Sequence, residues 1–196
     1  MSTASPTPDV SAKAPGIEAP LATLANCHER GARQCAALSE LAQHLAAKGA
    51  DEEARALATG VLRYFDKAAR DHYADEEIDL FPALLDAMAA ADAQCLRALT
   101  EGLTAEHRSL ESAWARVRDE LTAVAAGASA QLSAAGVAAL VGHYEQHMTR
   151  EDEELMPLAA RLLGAAELTR MGLAMGARRG IDGPNPATGS PVSAQS

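Results

Sequence analysis

The stretch HYADEEIDLFPAL at residues 72–84 recurs as HMTREDEELMPLA at residues 147–159, an offset of 75 residues (147 minus 72). Each copy carries a histidine, a glutamate four residues later, and then a leucine and a proline in the same register. Residues four apart lie on one face of an α-helix, about 6 Å apart along its axis. Each copy therefore predicts a helix that presents a histidine and a glutamate side by side. The matched pairs are His72/His147, Glu76/Glu151, Leu80/Leu155 and Pro82/Pro157.

Apolar residues at helical spacing extend outward from both copies. The pattern predicts helices over about 18–48, from Asp51 onward, over about 92–125 and over about 130–164, with a short fifth helix at 166–178. Lys48 and Gly49 are typical of a helix end, and Pro82 should kink the second helix or begin a new turn. Four long helices with short connections favour an all-α, antiparallel up-down four-helix bundle.

The composition agrees with an all-helical domain. Apolar residues make up 48% of the chain but aromatic residues only 3%, and alanine and leucine, which dominate, are good helix formers. The formal net charge is −10, which argues against nucleic acid or an anionic membrane surface as a partner. The chain also has no signal-peptide pattern and no apolar run long enough to span a membrane. We expect a cytoplasmic protein.

The two ends of the sequence differ from its middle. Residues 1–16 are rich in Ser, Thr, Pro and Ala, and residues 179–196 are rich in Gly, Pro and Ser. Such compositions are typical of disordered segments. The predicted organisation is a disordered N-terminal tail (1–16), one bundle domain with its short C-terminal helix (17–178), and a disordered C-terminal tail (179–196).

Six histidines and glutamates interrupt the apolar stripes of the predicted helices. Each helix carries one inward histidine, and the second and fourth helices each add a glutamate. The six are His28, His72, Glu76, His107, His147 and Glu151. Burying these groups without partners would be costly, whereas a metal centre takes neutral imidazoles and ionised carboxylates as ligands.

The arrangement also suggests how two ions would be held. His28 and His107 match at an offset of 79 residues (107 minus 28), so the chain consists of two helical hairpins with the same ligand pattern. Two glutamates between facing helices can bridge two ions while the histidines bind them from outside. A pseudo-twofold arrangement would then give each ion an equivalent set of ligands.

This set of residues resembles the hemerythrin-like, HHE cation-binding family. His28, His72-x-x-x-Glu76, His107 and His147-x-x-x-Glu151 agree with the family's pattern in order and spacing, and DEEIDLFPAL and EDEELMPLA resemble its signature segments. The resemblance covers residues 18–164. It implies a four-helix bundle with a non-haem di-iron centre, that is, two iron ions as the cofactor, with zinc or manganese as alternative metals.

Two positions remain open as additional ligands. Oxygen-carrying hemerythrins have HxxxH on the third helix, but Leu103 stands four residues before His107; they also have HxxxxD on the fourth, a spacing that His147 and Asp152 satisfy. The internal repeat favours Glu151 over Asp152 because Glu151 pairs with Glu76. His143, four residues before His147, is a second additional candidate, although its repeat counterpart is Ala68.

The resemblance implies three alternative functions. The reduced set of four histidines and two glutamates is similar to bacterial iron-centre repair proteins and to iron- and oxygen-sensing domains, which bind, sense or react with O2 or NO or handle iron. The second alternative is a strict O2 store or carrier. The third is an interaction or regulatory module in which the metal stabilises the bundle without redox chemistry. Whether the protein is an enzyme stays open.

Overall fold

A computed structural model describes residues 19–89 and 93–181, and within these ranges the chain is helical and contains no strand. No helix in this part of the chain is both long enough and apolar enough to cross a membrane. The predicted tails at 1–16 and 179–196 lie outside the described residues, apart from 179–181. The helices are α1 (Pro20–Lys48), α2 (Glu52–Arg63), α3 (Ala69–Ala74), α4 (Phe81–Ala87), α5 (Ala93–Ala125), α6 (Ala134–Arg150), α7 (Met156–Leu162) and α8 (Ala165–Arg178).

Short π-helical segments join several of these helices into longer rods. The segments Tyr64–Ala68 and Asp75–Leu80 connect α2, α3 and α4, and the segment Glu151–Leu155 connects α6 to α7. The chain therefore forms four rods, namely α1, α2–α4, α5 and α6–α7, followed by the separate helix α8. The four rods correspond to the four predicted long helices.

Local capping explains where the first rod ends and the second begins. Gly49 takes a positive φ of 75° after α1, and its N–H bonds to the Leu45 carbonyl, a backbone conformation that glycine adopts at little cost. The Asp51 carboxylate then accepts a hydrogen bond from the Ala54 N–H at 2.9 Å and caps α2. The predicted connection between the first two helices is confirmed.

The fourth rod begins later than the sequence indicated. We predicted a helix from about 130, but α6 starts at Ala134, after Ser133 caps the Gly136 N–H. Gly127, with a φ of 70°, turns the chain after α5, and a carboxylate of Glu120 accepts a hydrogen bond from the Ser133 N–H at 2.6 Å. The alanine-rich segment before Ser133 has helical propensity, but these contacts hold it outside the helix.

The rods form a closed ring in which α1 contacts α2 and α6, and α5 also contacts α2 and α6. Two apolar clusters fill the ring. One combines the end of α1 (Cys35–Leu45) with the start of α2 and with the end of α5 and start of α6. The other combines the start of α1 with α4, the start of α5, α7 and α8. Consecutive rods therefore run in opposite directions, as in a four-helix bundle.

Helix α8 adds a fifth helix to this arrangement, as the sequence predicted for 166–178. It packs on α1 and on the π-helical segment Asp75–Leu80. Asp75 is fully buried and is paired with both Arg178 and Arg179, and Arg178 also donates to Asp79 at 2.8 Å. Arg179, which the sequence analysis assigned to the C-terminal tail, thus belongs to the packed body.

Candidate metal centre

The six predicted ligand residues meet at the middle of the ring, between the two apolar clusters. His28 comes from α1, His72 and Glu76 from the second rod, His107 from α5, and His147 and Glu151 from the fourth rod. All six side chains are buried, and both glutamates have no exposed surface. The four rods place these histidines and glutamates at the same level along the bundle axis, so the core contains one compact polar cluster.

The first half of the cluster consists of His28, His72, Glu76 and Glu151. Nε2 of His28 lies 3.2 Å from Nε2 of His72 and 3.0 Å from Glu151 Oε2. Nε2 of His72 lies 3.4 Å from Glu76 Oε1. One donor atom of each residue thus faces a common point, with all four atoms within 4.8 Å of one another.

The second half consists of His107, His147 and the same two glutamates. Nε2 of His107 lies 3.2 Å from Glu76 Oε2 and 3.6 Å from Glu151 Oε1. Nε2 of His147 lies 3.0 Å from Glu151 Oε1. Both glutamates belong to both halves and direct different oxygens to each, so either carboxylate could bridge two ions.

The cluster fits metal ions better than it fits a hydrogen-bonded core. Six atoms of the cluster are buried and have no hydrogen-bond partner of good geometry among residues 19–89 and 93–181: Nε2 of His107 and of His147, and all four oxygens of Glu76 and Glu151. Buried polar groups in folded proteins are normally satisfied. Metal–nitrogen bonds are about 2.1 Å long, so neighbouring donor atoms on one ion lie about 3.0–3.4 Å apart. Several distances in the cluster match that spacing.

The two glutamates titrate differently in the metal-free protein. Burial raises the pKa of Glu151, but close contacts with His107, His147, His28 and His72 lower it well below its usual range. For Glu76, burial and the neighbouring charge of Glu151 raise the pKa. Glu151 therefore ionises more readily than Glu76.

Three of the histidines have raised pKa values despite their burial. Burial lowers the pKa of His107, but close contacts with Glu151 and Glu76 raise it to about 9. Burial likewise lowers the pKa of His28 and His72, and contacts with Glu151 and with Glu76, respectively, raise both above the usual range. In the metal-free protein, the negative charge of the glutamates thus favours protonation of neighbouring imidazoles.

Carboxylates outside the cluster accept hydrogen bonds from three of the four histidines. Nδ1 of His28 donates to Asp152 at 2.7 Å, Nδ1 of His107 to Glu77 at 2.7 Å, and Nδ1 of His147 to Glu106 at 2.9 Å. Such bonds fix the tautomer that leaves Nε2 free to bind metal, and they raise its basicity.

Arginines hold two of these outer carboxylates. Arg108 pairs with Glu77, and Arg150 pairs with Glu106. Each arginine lies in the same helix as the histidine that donates to its carboxylate. The orientation of His107 and His147 therefore depends on a chain of charged contacts that reaches the protein surface.

His72 is the exception among the four histidines. Its Nδ1 is buried and has no hydrogen-bond partner among the described residues. A nearby group is the thiol of Cys27, which interacts with His72 and accepts a hydrogen bond from Arg30 at 3.1 Å. Burial raises the pKa of the Cys27 thiol, but His72 and Arg30 lower it to about 7.

The π-helical segments position the two glutamates. The N–H of Phe81 bonds to the Glu76 carbonyl and the N–H of Met156 bonds to the Glu151 carbonyl, each five residues apart rather than four. Pro82 and Pro157 follow directly. Proline has no N–H and its ring collides with the carbonyl four residues earlier in a regular helix, and widening one turn relieves that collision. π-Helical turns are often found at functional sites.

The two additional candidates lie outside the cluster. Asp152 is 55% exposed and contacts His28 from outside, at Nδ1. His143 is exposed and belongs to neither half of the cluster. The outer carboxylates Glu77 and Glu106 were not predicted as partners of histidines. The repeat contained a signal for the first, because Glu77 and Asp152 each follow one of the two paired glutamates.

A third group of possible ligands lies away from the core. His44, Asp51 and Glu53 meet where α1 ends and α2 begins. Nε2 of His44 donates to Asp51 at 2.8 Å, and Asp51 also caps α2. Helix capping accounts for this group without a metal ion.

A cavity of about 250 Å³ lies between the second, third and fourth rods. Its walls include Phe65, Trp114, Tyr144 and Tyr73, but none of the six residues of the cluster. The ring of Tyr73 stacks on the ring of His107, with centroids 4.2 Å apart. Tyr73 is therefore the side chain between the cavity and the second half of the cluster.

Comparison with known proteins identifies a family and a relative that match most of the helical body. The family described as the hemerythrin HHE cation-binding domain has a model that matches residues 19–159. An uncharacterized protein of Haemophilus influenzae is 28% identical over 162 residues, which cover 83% of this chain and 91% of the relative.

Proposed function

The chain belongs to the hemerythrin HHE cation-binding family, and from this premise we propose that it is a non-haem di-iron protein that binds O2 or NO. One observation carries the proposal: two groups of four buried donor residues share Glu76 and Glu151. Two shared carboxylates and two histidines for each position match the carboxylate- and histidine-rich di-iron sites of helix bundles.

His28 and His72 would hold one ion and His107 and His147 the other, and Glu76 and Glu151 would help to hold both, because they belong to both groups. Two iron ions bound there would supply open coordination positions and electrons for a diatomic gas. The cavity that Tyr73 lines supports an approach for a small molecule to the second ion, because Tyr73 also stacks on His107.

The residues around the ions have separate roles. Asp152, Glu77 and Glu106 hold protons at Nδ1 of their histidines, so that Nε2 stays free for the metal. The apolar clusters above and below exclude water from the glutamates. Exclusion of water strengthens the attraction between these carboxylates and a bound cation.

The test is anaerobic reconstitution with ferrous iron, followed by metal analysis and absorption spectra before and after adding air or NO. We expect two ions per chain and new visible bands with at least one of the gases. Full reversal on removing O2 would favour an oxygen store. If zinc replaced iron with no loss of function in the cell and no gas changed the spectrum, the stabilising role of the metal would be the better explanation.

A further inference from the structure

The two halves of the metal centre have the same inner ligands but different outer partners. At the offset of 79 residues that pairs His28 with His107, Cys27 pairs with Glu106. Glu106 accepts the Nδ1 hydrogen bond of His147 at 2.9 Å. Cys27 holds the corresponding position of the repeat and interacts with His72, yet Nδ1 of His72 has no hydrogen-bond partner in the described part of the chain.

The other outer contact is conserved between the two halves. Glu77 follows Glu76 and accepts from His107 of the other hairpin, and Asp152 follows Glu151 and accepts from His28 of the other hairpin. Both contacts are 2.7 Å long. The repeat therefore reproduces one pair of outer carboxylates and breaks the second pair at Cys27.

We propose that Cys27 is a positioning residue that makes the two metal positions unequal, with the ion at His28 and His72 held more weakly than the ion at His107 and His147. This inference rests on the proposed di-iron function. It differs from the equivalent ligand sets expected from the sequence, because the difference lies outside the six ligands.

The physical reason is the basicity and orientation of His72. A carboxylate at Nδ1 raises the basicity of a ligating imidazole and fixes its ring, and loss of such a partner costs about 10–100-fold in metal affinity. A thiol is a weak hydrogen-bond acceptor. In addition, the guanidinium of Arg30 points at the Cys27 sulfur, and its positive charge disfavours a cation nearby. His147 has a carboxylate at the same position, with Arg150 behind it.

The same asymmetry suggests which of the two metal positions exchanges its ion or its ligands more readily. The weaker position, at His28 and His72, loses its ion first when iron is scarce. An ion in that position also exchanges a protein ligand for an added ligand more readily. The full di-iron centre would then form only above a threshold of available iron, while the second half stays filled.

The first experiment measures each position separately by anaerobic ferrous titration with a competing chelator. His72→Ala leaves the position at His107 and His147, and His147→Ala leaves the position at His28 and His72. We expect the ion bound by His72→Ala to have an affinity higher by a factor of about ten or more than the ion bound by His147→Ala. Equal affinities would overturn the inference, whereas no binding by the unmutated protein would overturn the di-iron proposal instead.

The second experiment exchanges the outer partner in the otherwise intact protein. Cys27→Asp should raise the affinity of the weaker of the two binding steps by roughly tenfold, so that the two steps in the titration come closer together. Damage to the fold would lower the affinity and cannot produce this gain. Cys27→Ser, which adds no carboxylate, is the matched control and should keep two separate steps. Glu106→Ala, at a partly exposed position, should weaken the tighter step by a similar factor.

These variants also distinguish a protein that no longer folds from an outer partner that has no effect on metal affinity. If Cys27→Asp does not fold, judged by its circular dichroism and melting, Glu106→Ala still tests the outer partner from the other side. Two steps that stay unchanged in Glu106→Ala would show that the outer acceptor does not control affinity, and would overturn the inference.

Discussion

Nε2 of His28 and Nε2 of His72 lie 3.2 Å apart, although the two histidines are 44 residues apart in sequence. Two imidazoles that face each other through the same atom cannot both be protonated there without repulsion. Glu151, 3.0 Å from Nε2 of His28, lies at the same point. A shared cation, either a proton or a metal ion, satisfies this geometry, and the following predictions test which groups hold it.

The number of ions follows from the two overlapping groups of ligands. His28→Ala should reduce the content from two ions per chain to one, because His28 serves only one position. His143→Ala is the matched control, since that exposed histidine belongs to neither group, and it should keep two ions. Elemental analysis after anaerobic reconstitution checks both. Loss of an ion in His143→Ala would mean that the exposed histidine is a ligand after all.

The shared glutamates should affect both ions. Glu151→Ala should lower occupancy of both positions, and more than Glu76→Ala does, because Glu151 contacts all four histidines and Glu76 only two. Asp152→Ala should retain two ions and weaken the one at His28. A result in which Asp152→Ala loses both ions while Glu151→Ala binds two normally would reverse the assignment in favour of the HxxxxD spacing.

Removing the outer carboxylate of His107 should weaken one ion without abolishing it. We expect Glu77→Ala to lower the affinity of that position by about 10–100-fold, because Nδ1 loses its acceptor. Glu111→Ala is the control, since Glu111 also pairs with Arg108 but does not contact a histidine. Chelator competition measures both variants, and equal affinities in the two would argue against a role for Glu77.

The stability of the metal-free protein should fall as pH rises from about 6.5 to about 9. His28, His72 and His107 have raised pKa values in the folded state, so their contribution is fully present below the unfolded pKa of about 6.5. It is lost as pH rises through the folded pKa, about 9 for His107. The lowered pKa of Glu151 acts at the acid end, where stability is lost as pH falls.

Bound metal should reverse that trend, because the imidazoles must lose their protons to bind it. The difference in melting temperature between zinc-loaded and metal-free protein should therefore widen between pH 6.0 and pH 8.5. Metal at 100 times its Kd stabilises the folded state by about 2.7 kcal/mol. Calorimetry at both pH values measures the difference. Identical melting with and without metal at pH 8.5 would show that these residues do not form the site.

The contact of α8 with the second rod should be important for stability. Asp75 is fully buried and is neutralised by Arg178 and Arg179. Replacing both arginines by alanine leaves a buried charge without a partner, which costs about 3–5 kcal/mol. Arg161→Ala, at an exposed position of α7, is the control and should cost little. Denaturant unfolding measures both, and a similar small loss in each would mean that Asp75 is stabilised otherwise.

The helical body could largely be predicted from the sequence because its apolar residues repeat at helical spacing. The six inward polar residues could also be identified, since each interrupts an apolar stripe at a matched position of two repeats. The start of α6 at Ala134 could not, because the hydrogen bond of Ser133 to Glu120 joins residues 13 apart. The pairing of Asp75 with Arg178 and Arg179 joins residues that are about a hundred positions apart, and spacing along the chain carries no signal for it.

By itself, the sequence determined the helical periodicity, the two repeats and the six histidines and glutamates, since all of these depend on spacing within one helix. The repeat favoured Glu151 over Asp152, but it is the rotation of their helix against the other rods, a tertiary property, that buries Glu151 and leaves Asp152 exposed. The tertiary structure also decided the environment of Nδ1 in each histidine. Those contacts form between different rods. Cys27 and Glu106 can therefore affect a histidine of another rod only when the rods are packed together.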